Sequence, residues 1–258
     1  MREIFVANSY ADQSVLITGA TGFLGKVLVE KLLRDCPKVK RIYILLRAKK
    51  GDSLDKRFDN FKNLIIFKDL KKNDPSALNK IFAINGDFME PHSGISESDF
   101  DHLTKNLNLI IHCAASVKFD EPLKIALRMN TISTRNMLNL AEKCEHLKAF
   151  VHVSTAFSNT NQSVIHEKIY EPICDYKKLI SLVEENNDEE LDIVNTMALK
   201  VFPNTYIFTK NLTEALVADY SHLPVTIVRP SIVCPSYSEP MKGWVCTIIR
   251  PIIINHVI

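Results

Sequence analysis

Ser14-Val-Leu-Ile-Thr-Gly-Ala-Thr-Gly-Phe-Leu-Gly25 is the stretch of sequence that decides the fold of this chain. It begins with a short apolar run of the kind that forms a buried parallel strand, and residues 23–34 carry apolar side chains on one side of a predicted helix. Three glycines at intervals of three connect the two elements: Gly19, Gly22 and Gly25. Because glycine lets a phosphate approach the backbone and a helix N-terminus attracts anions, the stretch predicts a dinucleotide-binding loop. The alternative is a glycine-rich turn without a ligand.

Apolar runs and helical patterns alternate along the rest of the chain. The predicted strands after the first occupy residues 41–47, 80–85, 108–114, 148–154 and 224–229. Helices are predicted for 121–144 and 205–220 and shorter helical pieces for 53–79, whereas 1–13 is a lead-in and the acidic run 184–192 a solvated loop or helix face. This alternation predicts an α/β fold, a doubly wound Rossmann-type parallel sheet with helices on both faces.

Composition excludes several classes of function. The formal net charge of +2 on 258 residues gives no strong attraction to nucleic acid, so no such partner is expected. Six cysteines without C-x-x-C spacing predict reduced thiols in a cytosol-facing protein, with neither a disulfide framework nor a metal site. No apolar run of the sequence reaches the ~18 residues of a membrane span.

A basic residue ends the second predicted strand. Folds that prefer NAD place an acidic residue there to bind the ribose hydroxyls, whereas this chain has Arg47, followed by Lys49 and Lys50. A guanidinium group can bind a 2′-phosphate through two hydrogen bonds, so the sequence predicts NADP(H) as the cofactor; the alternative is a solvated basic turn. Asp87, at the end of the third strand, is expected to meet the adenine amino group.

Tyr206 and Lys210 give the strongest catalytic signal, because their four-residue spacing places them on one face of a helix. The free pKa of tyrosine is ~10, and a neighbouring ammonium group would lower it toward working pH; the lysine could also hold the nicotinamide ribose. Ser154 and Thr155 end the fifth strand at the carboxyl edge of the sheet, where doubly wound folds bind ligands. A hydroxyl there could hydrogen-bond a carbonyl oxygen as charge develops, and a strand-end cap is the alternative.

Four further positions lie near the same edge. Ala114 and Ala115 end the fourth strand, where their small side chains leave room for a cofactor or allow tight helix packing. His112 is expected to be a histidine at the edge of the core rather than a catalyst. Asn130 is expected to brace neighbouring loops rather than to contact a substrate.

Together these motifs resemble the extended short-chain dehydrogenases/reductases, through the loop 18–25, the Tyr206 and Lys210 pair, and RPSIV at 229–233. Within that superfamily the chain resembles the animal, particularly insect-type, fatty acyl-CoA reductases from about residue 9 to 245. The segments that carry this resemblance are GFLGKVLVEKLL at 22–33, ILLR at 44–47, HCAA at 112–115, FVHVSTA at 150–156, PNTYIFTK at 203–210 and EPMKGW at 239–244. The whole chain, 1–258, is then expected to form one NAD(P)-binding Rossmann-type reductase domain.

The resemblance implies NADPH-dependent reduction of a long-chain fatty acyl-CoA, through a bound aldehyde, to a fatty alcohol. It implies that Tyr206 donates the proton, that Lys210 tunes it and binds the ribose, and that Thr155, with Ser154 beside it, polarises the carbonyl. The residues expected to bind NADPH are Thr18, Gly19, Thr21, Gly22, Phe23, Leu24, Gly25, Arg47, Asp87, Ala114, Ala115, Tyr206, Lys210, Pro230 and Ile232.

The chain also departs from this family. Family members usually continue after the Gly-Trp of residues 243–244 with an Asp-Asn pair and a helical C-terminal domain, often with a membrane-associated end, so the chain is interpreted as a shortened product. The family also implies peripheral membrane association at a peroxisomal or endoplasmic reticulum surface. Two alternatives stay open: a nucleotide-sugar epimerase or dehydratase of the same superfamily, and an NADPH-binding fragment without turnover.

Overall fold

The computed structural model describes residues 2–47, 51–87 and 89–245. The predictions made for Lys49, Lys50 and the tail after residue 245 lie outside the described residues.

Six parallel strands form one sheet with the order β3-β2-β1-β4-β5-β6. The strands are β1 (Ser14–Thr18), β2 (Arg41–Leu46), β3 (Ile81–Asn85), β4 (Leu109–His112), β5 (Ala149–Val153) and β6 (Val225–Val228). The chain order reverses between β1 and β4, and a crevice therefore opens at the carboxyl ends of these two strands, where doubly wound folds bind dinucleotides. The predicted fold class is confirmed, and the ends of the predicted strands differ from the observed ones by at most two residues.

Ten α-helices surround the sheet in the part of the chain that the structure describes. They are α1 (Arg2–Ser9), α2 (Phe23–Asp35), α3 (Leu54–Lys62), α4 (Lys68–Asn73), α5 (Glu97–Asn106), α6 (Leu123–Ala126), α7 (Ser133–Lys143), α8 (Tyr176–Glu184), α9 (Asp188–Ala198) and α10 (Thr205–Asp219). Short 3₁₀ helices cover Ile65–Phe67, Ala77–Lys80 and Pro91–Gly94, and a π-helical segment, Leu127–Ile132, joins α6 to α7. The expected lead-in contains α1 instead, and α5, α8 and α9 were not predicted as separate helices.

The two faces of the sheet each carry a hydrophobic cluster. Leu16, Tyr43 and Phe150 belong to the cluster with α5, α7, α8 and α10, whereas Val15 and Ile17 belong to the cluster with α2, α3 and α4. Successive residues of a strand point to opposite faces, so the near-continuous apolar runs of the sequence are explained by helices on both sides. The edge strand β6 is less covered, and its residues alternate between half-buried and exposed.

Helix α10 is buried around most of its circumference, although its sequence is not uniformly apolar. Five polar residues of this helix are almost fully buried: Thr209, Lys210, Asn211, Thr213 and Glu214. Buried polar groups require hydrogen-bond partners, so the surroundings of α10 must supply them. This helix therefore positions most of the candidate catalytic chemistry.

Candidate active site

The glycine loop closes tightly between β1 and α2. Gly19 has a φ of +68°, and a Cβ atom at this position would lie 2.8 Å from the backbone nitrogen of Ala114. The amide of Gly22 donates to the carbonyl oxygen of Gly19 at 2.9 Å. A side chain at Gly19 would thus be strained and would collide with the end of β4. Ala114 packs against this loop, so one role of its small side chain is to allow the loop to approach closely.

The N-terminus of α2 faces this loop without a side-chain cap. Gly22 is the N-cap residue, and it has no side chain that could accept from the first amides of the helix. Phe23 and Leu24 begin the helix, and Thr21 is exposed beside them. Uncapped amides at a helix N-terminus are suited to bind phosphate oxygens, so the residues present fit the pyrophosphate of a dinucleotide.

Thr18, predicted to contact the cofactor, instead directs its side chain into the protein. Its Oγ1 lies 2.8 Å from Nδ1 of His112 and accepts from the amide of Ala114 at 3.2 Å. Nε2 of His112 lies 3.0 Å from the hydroxyl of Thr134. Burial lowers the pKa of His112 to about 3, so the ring is neutral. His112 is a buried histidine that joins β1, β4 and α7, which agrees with its predicted structural role.

Arg47 and Asp87 lie side by side after β2 and β3. Nη1 of Arg47 donates to Oδ2 of Asp87 at 2.9 Å, and the arginine side chain is 54% exposed. The other carboxylate oxygen of Asp87 accepts from the amide of Met89. Arg47 therefore keeps donors that face solvent at the position where a 2′-phosphate is expected, whereas both oxygens of Asp87 have protein partners.

Tyr206 lies in the first turn of α10, which Asn204 caps by accepting from the amide of Ile207 at 2.9 Å. The hydroxyl of Thr155 lies close enough to the phenol of Tyr206 to lower its pKa. The rings of Tyr206 and Phe119 lie 5.8 Å apart between centroids. Burial raises the pKa of Tyr206 above its ordinary value, and Thr155 opposes this rise only in part. The structure thus brings together the predicted proton donor and the hydroxyl at the end of β5.

Lys210 lies on α10 one turn after Tyr206, as predicted, and its ammonium group is bonded to the end of β5. Its side chain is buried, Nζ donates to the carbonyl oxygen of Val153 at 2.7 Å, and Nε2 of His152 lies 3.2 Å away. Burial lowers the pKa of Lys210 to about 8, although Glu214 and Cys113 act in the opposite direction. Burial of the phenol dominates the pKa of Tyr206, and Lys210 is not among the causes of its shift, so the tuning role of Lys210 stays a prediction.

Ser154 also departs from its predicted role. Its hydroxyl donates to Oε1 of Glu214 at 2.5 Å and is buried beneath the loop that carries Thr155. A serine has one hydroxyl hydrogen, and here Glu214 accepts it, so Ser154 cannot donate to a substrate carbonyl as well. Thr155 therefore remains the hydroxyl of this pair that lies next to Tyr206.

Glu214, one helical turn after Lys210, was not recognised from the sequence. Its carboxylate accepts from Nε and Nη2 of Arg229 at 2.9 and 2.6 Å. Ser158 and Asn159 donate to the same carboxylate. The only sequence signal was an acidic residue at the i+4 position from a candidate catalytic lysine, and spacing alone does not reveal a partner.

Arg229 extends this network to the segment that follows β5. Its Nη1 and Nη2 donate to the carbonyl oxygens of His166 and Lys168 at 3.1 and 2.8 Å. Pro230, the next residue, accepts from the amide of Ala156 at 2.9 Å, and Ile232 is exposed beyond it. The structure therefore places Pro230 next to the loop that carries Thr155, which is compatible with its predicted position beside the nicotinamide.

Asn130 lies in the π-helical segment and braces the loop after β4. It accepts from the amide of Ser116 at 2.8 Å and donates to Thr209 on α10 at 2.9 Å. These bonds tie the loop that follows Ala114 and Ala115 to α10, and the predicted bracing role is confirmed. π-Helical turns occur often at functional sites, and here the turn aims one amide side chain at two elements of the site.

Neither metal ligands nor a membrane span appear in the described parts of the chain. Residues 2–47, 51–87 and 89–245 contain no group of three or more histidine, cysteine, aspartate or glutamate side chains that could hold a metal ion. Over the same residues, no helix has the length and apolar character needed to cross a bilayer.

Comparison with known proteins identifies relatives of this site. An NAD-binding family profile described as "Male sterility protein" matches residues 17–254. The chain is 42% identical to "Fatty acyl-CoA reductase 1" of Pongo abelii over 94% of its own length and 47% of the relative. It is 41% identical to "Fatty acyl-CoA reductase 2" of Homo sapiens over 95% of its length and 48% of the relative. The chain thus spans about half the length of the curated relatives that it matches.

A solved structure shows the same architecture. The terminal R domain from the myxalamid PKS-NRPS biosynthetic pathway superposes with a TM-score of 0.64 and 27% identity, covering 87% of this chain and 50% of that one. The fold, the glycine loop and the relatives agree with one another. The chain belongs to the NAD-binding Male sterility protein family, and its resemblance to the fatty acyl-CoA reductases is confirmed.

Proposed function

We propose that this chain is the NADPH-binding and proton-donating part of an alcohol-forming fatty acyl-CoA reductase. The observation that carries the proposal is the position of Tyr206 beside Thr155, at the carboxyl edge of a sheet whose switch point carries the glycine loop. The names of the relatives supply the substrate class, a fatty acyl-CoA, and the family resemblance adds that the acyl chain is long.

The proposed cofactor is NADPH. The glycine loop and the uncapped start of α2 would hold the pyrophosphate, and the exposed guanidinium of Arg47 would bind the 2′-phosphate. Bound NADPH supplies the hydride for each of two reductions, of the thioester to the aldehyde with release of the CoA thiol and of the aldehyde to the primary alcohol.

In the first reduction Tyr206 would protonate the oxygen of the tetrahedral adduct, and when the C–S bond breaks that proton leaves with the CoA thiolate as the thiol. In the second reduction Tyr206 would protonate the aldehyde oxygen, which becomes the hydroxyl of the alcohol. The phenol carries its proton at neutral pH, as a proton donor must, although burial raises its pKa and makes it a weaker acid. Thr155 lies beside the phenol and would turn its hydroxyl to the substrate oxygen when the carbonyl is bound. Lys210, fixed to the end of β5, would present its ammonium group on the same side of α10 toward the ribose.

Apolar side chains beside Tyr206 suit the acyl chain. Phe119 packs near the ring of Tyr206 and is 41% exposed, and Val117 on the same loop is 67% exposed. An acyl chain that covered them would remove apolar surface from water, which favours binding. A sugar nucleotide would gain less from this surface, so the observation favours the acyl-CoA over the epimerase alternative.

The direct test is product analysis with the purified chain. Palmitoyl-CoA and NADPH should yield hexadecanol, detected by gas chromatography with mass spectrometry, and NADH should support a lower rate. A parallel incubation with a UDP-sugar should leave that substrate unchanged. Tight NADPH binding with no alcohol would favour the alternative of a binding fragment without turnover, and a converted UDP-sugar would refute the proposed substrate class.

The proposed location is the cytosol-facing surface of a peroxisomal or endoplasmic reticulum membrane, reached by peripheral association. The family resemblance and the apolar substrate support this proposal. Flotation of the purified chain with phospholipid vesicles should recover it with the lipid, and recovery only in the protein fraction would count against association by this chain.

A further inference from the structure

The segment 236–245 lies against the start of α2, next to the glycine loop. The ring of Trp244 stacks on the ring of Phe23 with a centroid separation of 5.0 Å and an interplanar angle of 28°. Trp244 is 9% exposed, and it is the one tryptophan of the sequence. Phe23 is the first residue of α2 and follows the N-cap residue Gly22. The contact therefore fixes the side chain of Phe23, in the helical turn whose amides face the position expected for the phosphate.

Two ion pairs fix the same segment further along α2. Oε2 of Glu239 lies 2.5 Å from Nζ of Lys31 and 2.8 Å from Nη2 of Arg34. These hydrogen bonds lower the pKa of Glu239. The pKa of Lys31 is raised first by its hydrogen bond with Asp35 and then by that with Glu239. All three side chains are partly exposed, so the pairs contribute little free energy one by one, and their role is to set the position of the segment along the helix.

The segment is also closed by its own backbone. The amide of Gly243 donates to the carbonyl oxygen of Ser236 at 2.8 Å. The amide of Ser236 in turn donates to the carbonyl oxygen of Trp244 at 3.1 Å. Gly243 has a φ of +72°, which permits the turn before the tryptophan. A loop closed in this way presents the indole in a fixed direction and loses little conformational entropy when it stacks.

We infer that Trp244 is a positioning residue for the dinucleotide: by packing on Phe23 it holds the first turn of α2 where its amides meet the pyrophosphate. The first turn of a helix has few internal hydrogen bonds and frays easily, so an external contact there has a direct effect on amide positions. Helix α2 has no side-chain cap, which leaves the stacked pair as a restraint at this end. The inference rests on the NADPH-binding part of the proposed function alone and is independent of acyl-CoA reduction.

The test compares two ligands. NADPH contains the pyrophosphate, whereas adenosine 2′-monophosphate contains the adenine and the ribose phosphate but no pyrophosphate. Binding of NADPH is followed by its own fluorescence, because the variants lack the tryptophan, and adenosine 2′-monophosphate is measured by displacement calorimetry. For Trp244→Ala we expect NADPH binding to weaken about three- to tenfold, the range expected for one aromatic stacking contact. Binding of adenosine 2′-monophosphate should not change.

Three further variants control for stability and shape. Trp244→Phe keeps an aromatic ring and should restore most of the NADPH affinity, whereas Trp244→Leu keeps apolar bulk without the stacked ring and should behave like the alanine variant. Tyr237→Ala removes a 90% exposed aromatic ring from the same segment and should leave both affinities unchanged. If Trp244→Ala does not fold, the comparison of the phenylalanine and leucine variants carries the test.

Two results would overturn the inference. One is an NADPH affinity that stays within about twofold of the wild type in a folded Trp244→Leu variant. The other is an equal loss of affinity for both ligands, which would indicate general destabilisation. Absence of fatty alcohol in the activity assay, with the ligand difference intact, would refute the proposed reaction and leave this inference standing.

Discussion

Two buried charges on α10, Lys210 and Glu214, have opposite surroundings although they lie one helical turn apart. The carboxylate of Glu214 is paired with the guanidinium of Arg229 and accepts further hydrogen bonds from Ser154. The hydrogen-bond partners of the Lys210 ammonium group are neutral, a backbone carbonyl and the ring of His152, whose pKa burial lowers well below its usual value. The carboxylate of Glu214 acts on Lys210 through its charge alone.

This difference assigns a structural role to one end of α10 and a catalytic role to the other. A buried charge with a matched ionic partner and filled hydrogen-bond sites is costly to disturb and joins the elements around it. A buried charge with neutral partners keeps a shifted pKa and can respond to a ligand, which is typical of functional sites. We therefore expect the Glu214 end of α10 to govern stability and the Tyr206 and Lys210 end to govern activity.

The largest expected effect is on catalysis. Tyr206→Phe removes the proposed proton donor and should reduce alcohol formation by a factor of about 10² to 10⁴, the usual contribution of general acid catalysis. Because the ring and its packing on Phe119 are kept, the melting temperature should stay close to that of the wild type. The measurement is hexadecanol formation beside a thermal melt, and substantial remaining activity would refute the role of Tyr206.

Removal of Glu214 should have the largest effect on stability. Glu214→Ala leaves the guanidinium of Arg229 without its carboxylate partner, and we expect a loss of about 3–5 kcal/mol in the free energy of unfolding. Urea denaturation would measure it. The matched control is Glu184→Ala, which breaks the surface pair with Arg135 and should cost about 0–1 kcal/mol. Similar losses in the two variants would contradict the proposed division of α10.

The pH dependence of stability should reveal the buried lysine. Below about pH 8 Lys210 is protonated in both states. Between about pH 8 and the ordinary lysine pKa of 10.5, the unfolded chain holds a proton that the folded chain has lost. The free energy of unfolding of the wild type should therefore rise with pH across this window relative to Lys210→Met, by on the order of 3 kcal/mol at most.

This measurement uses the difference between the two proteins at each pH, because buried tyrosine and cysteine groups titrate in the same range in both. Urea denaturation of wild type and Lys210→Met from pH 7 to 10.5 would give the two curves. A constant difference would show that the pKa of Lys210 is the same in the folded and unfolded chain, and would remove the contrast with Glu214.

The smallest expected effect tests the geometry of the ion pair. Arg229→Lys keeps the positive charge but loses the two parallel hydrogen bonds to Glu214 and those to His166 and Lys168. We expect a loss of about 1–2 kcal/mol in the free energy of unfolding, well below that of Glu214→Ala. Limited proteolysis should also cleave the segment around His166 more readily. An unchanged cleavage rate would show that Arg229 does not restrain this segment.

The glycine loop and the six strands could be predicted because their requirements are local. Gly19 needs a left-handed backbone and close approach to Ala114, and buried parallel strands need continuous apolar runs, so each leaves a signature in a few consecutive residues. The bracing role of Asn130 and the buried position of His112 were also predicted correctly. The residues around His112 identify it as the end of a strand, and those around Asn130 indicate that it lies near the loops of the site.

The roles of Ser154, Thr18 and Lys210 could not be predicted in full, because each depends on a partner that is distant in sequence. Ser154 donates to a residue 60 positions away, and Thr18 contacts one 94 positions away. A hydroxyl at a strand end can turn toward the ligand or into the protein, and both orientations fit the same local sequence. The packed neighbours decide between them.

The sequence by itself determined the fold class, the glycine loop between the first strand and its helix, and the pairing of Tyr206 with Lys210 on one helix, since periodicity and spacing follow from backbone geometry. Only the tertiary structure decided that Thr155 rather than Ser154 meets Tyr206, and that Glu214 balances Arg229. It also decided that burial raises the pKa of Tyr206 and lowers that of Lys210. The physical reason is desolvation: the cost of a charge depends on everything that packs around it, and spacing along a helix says which residues share a face but not what covers that face.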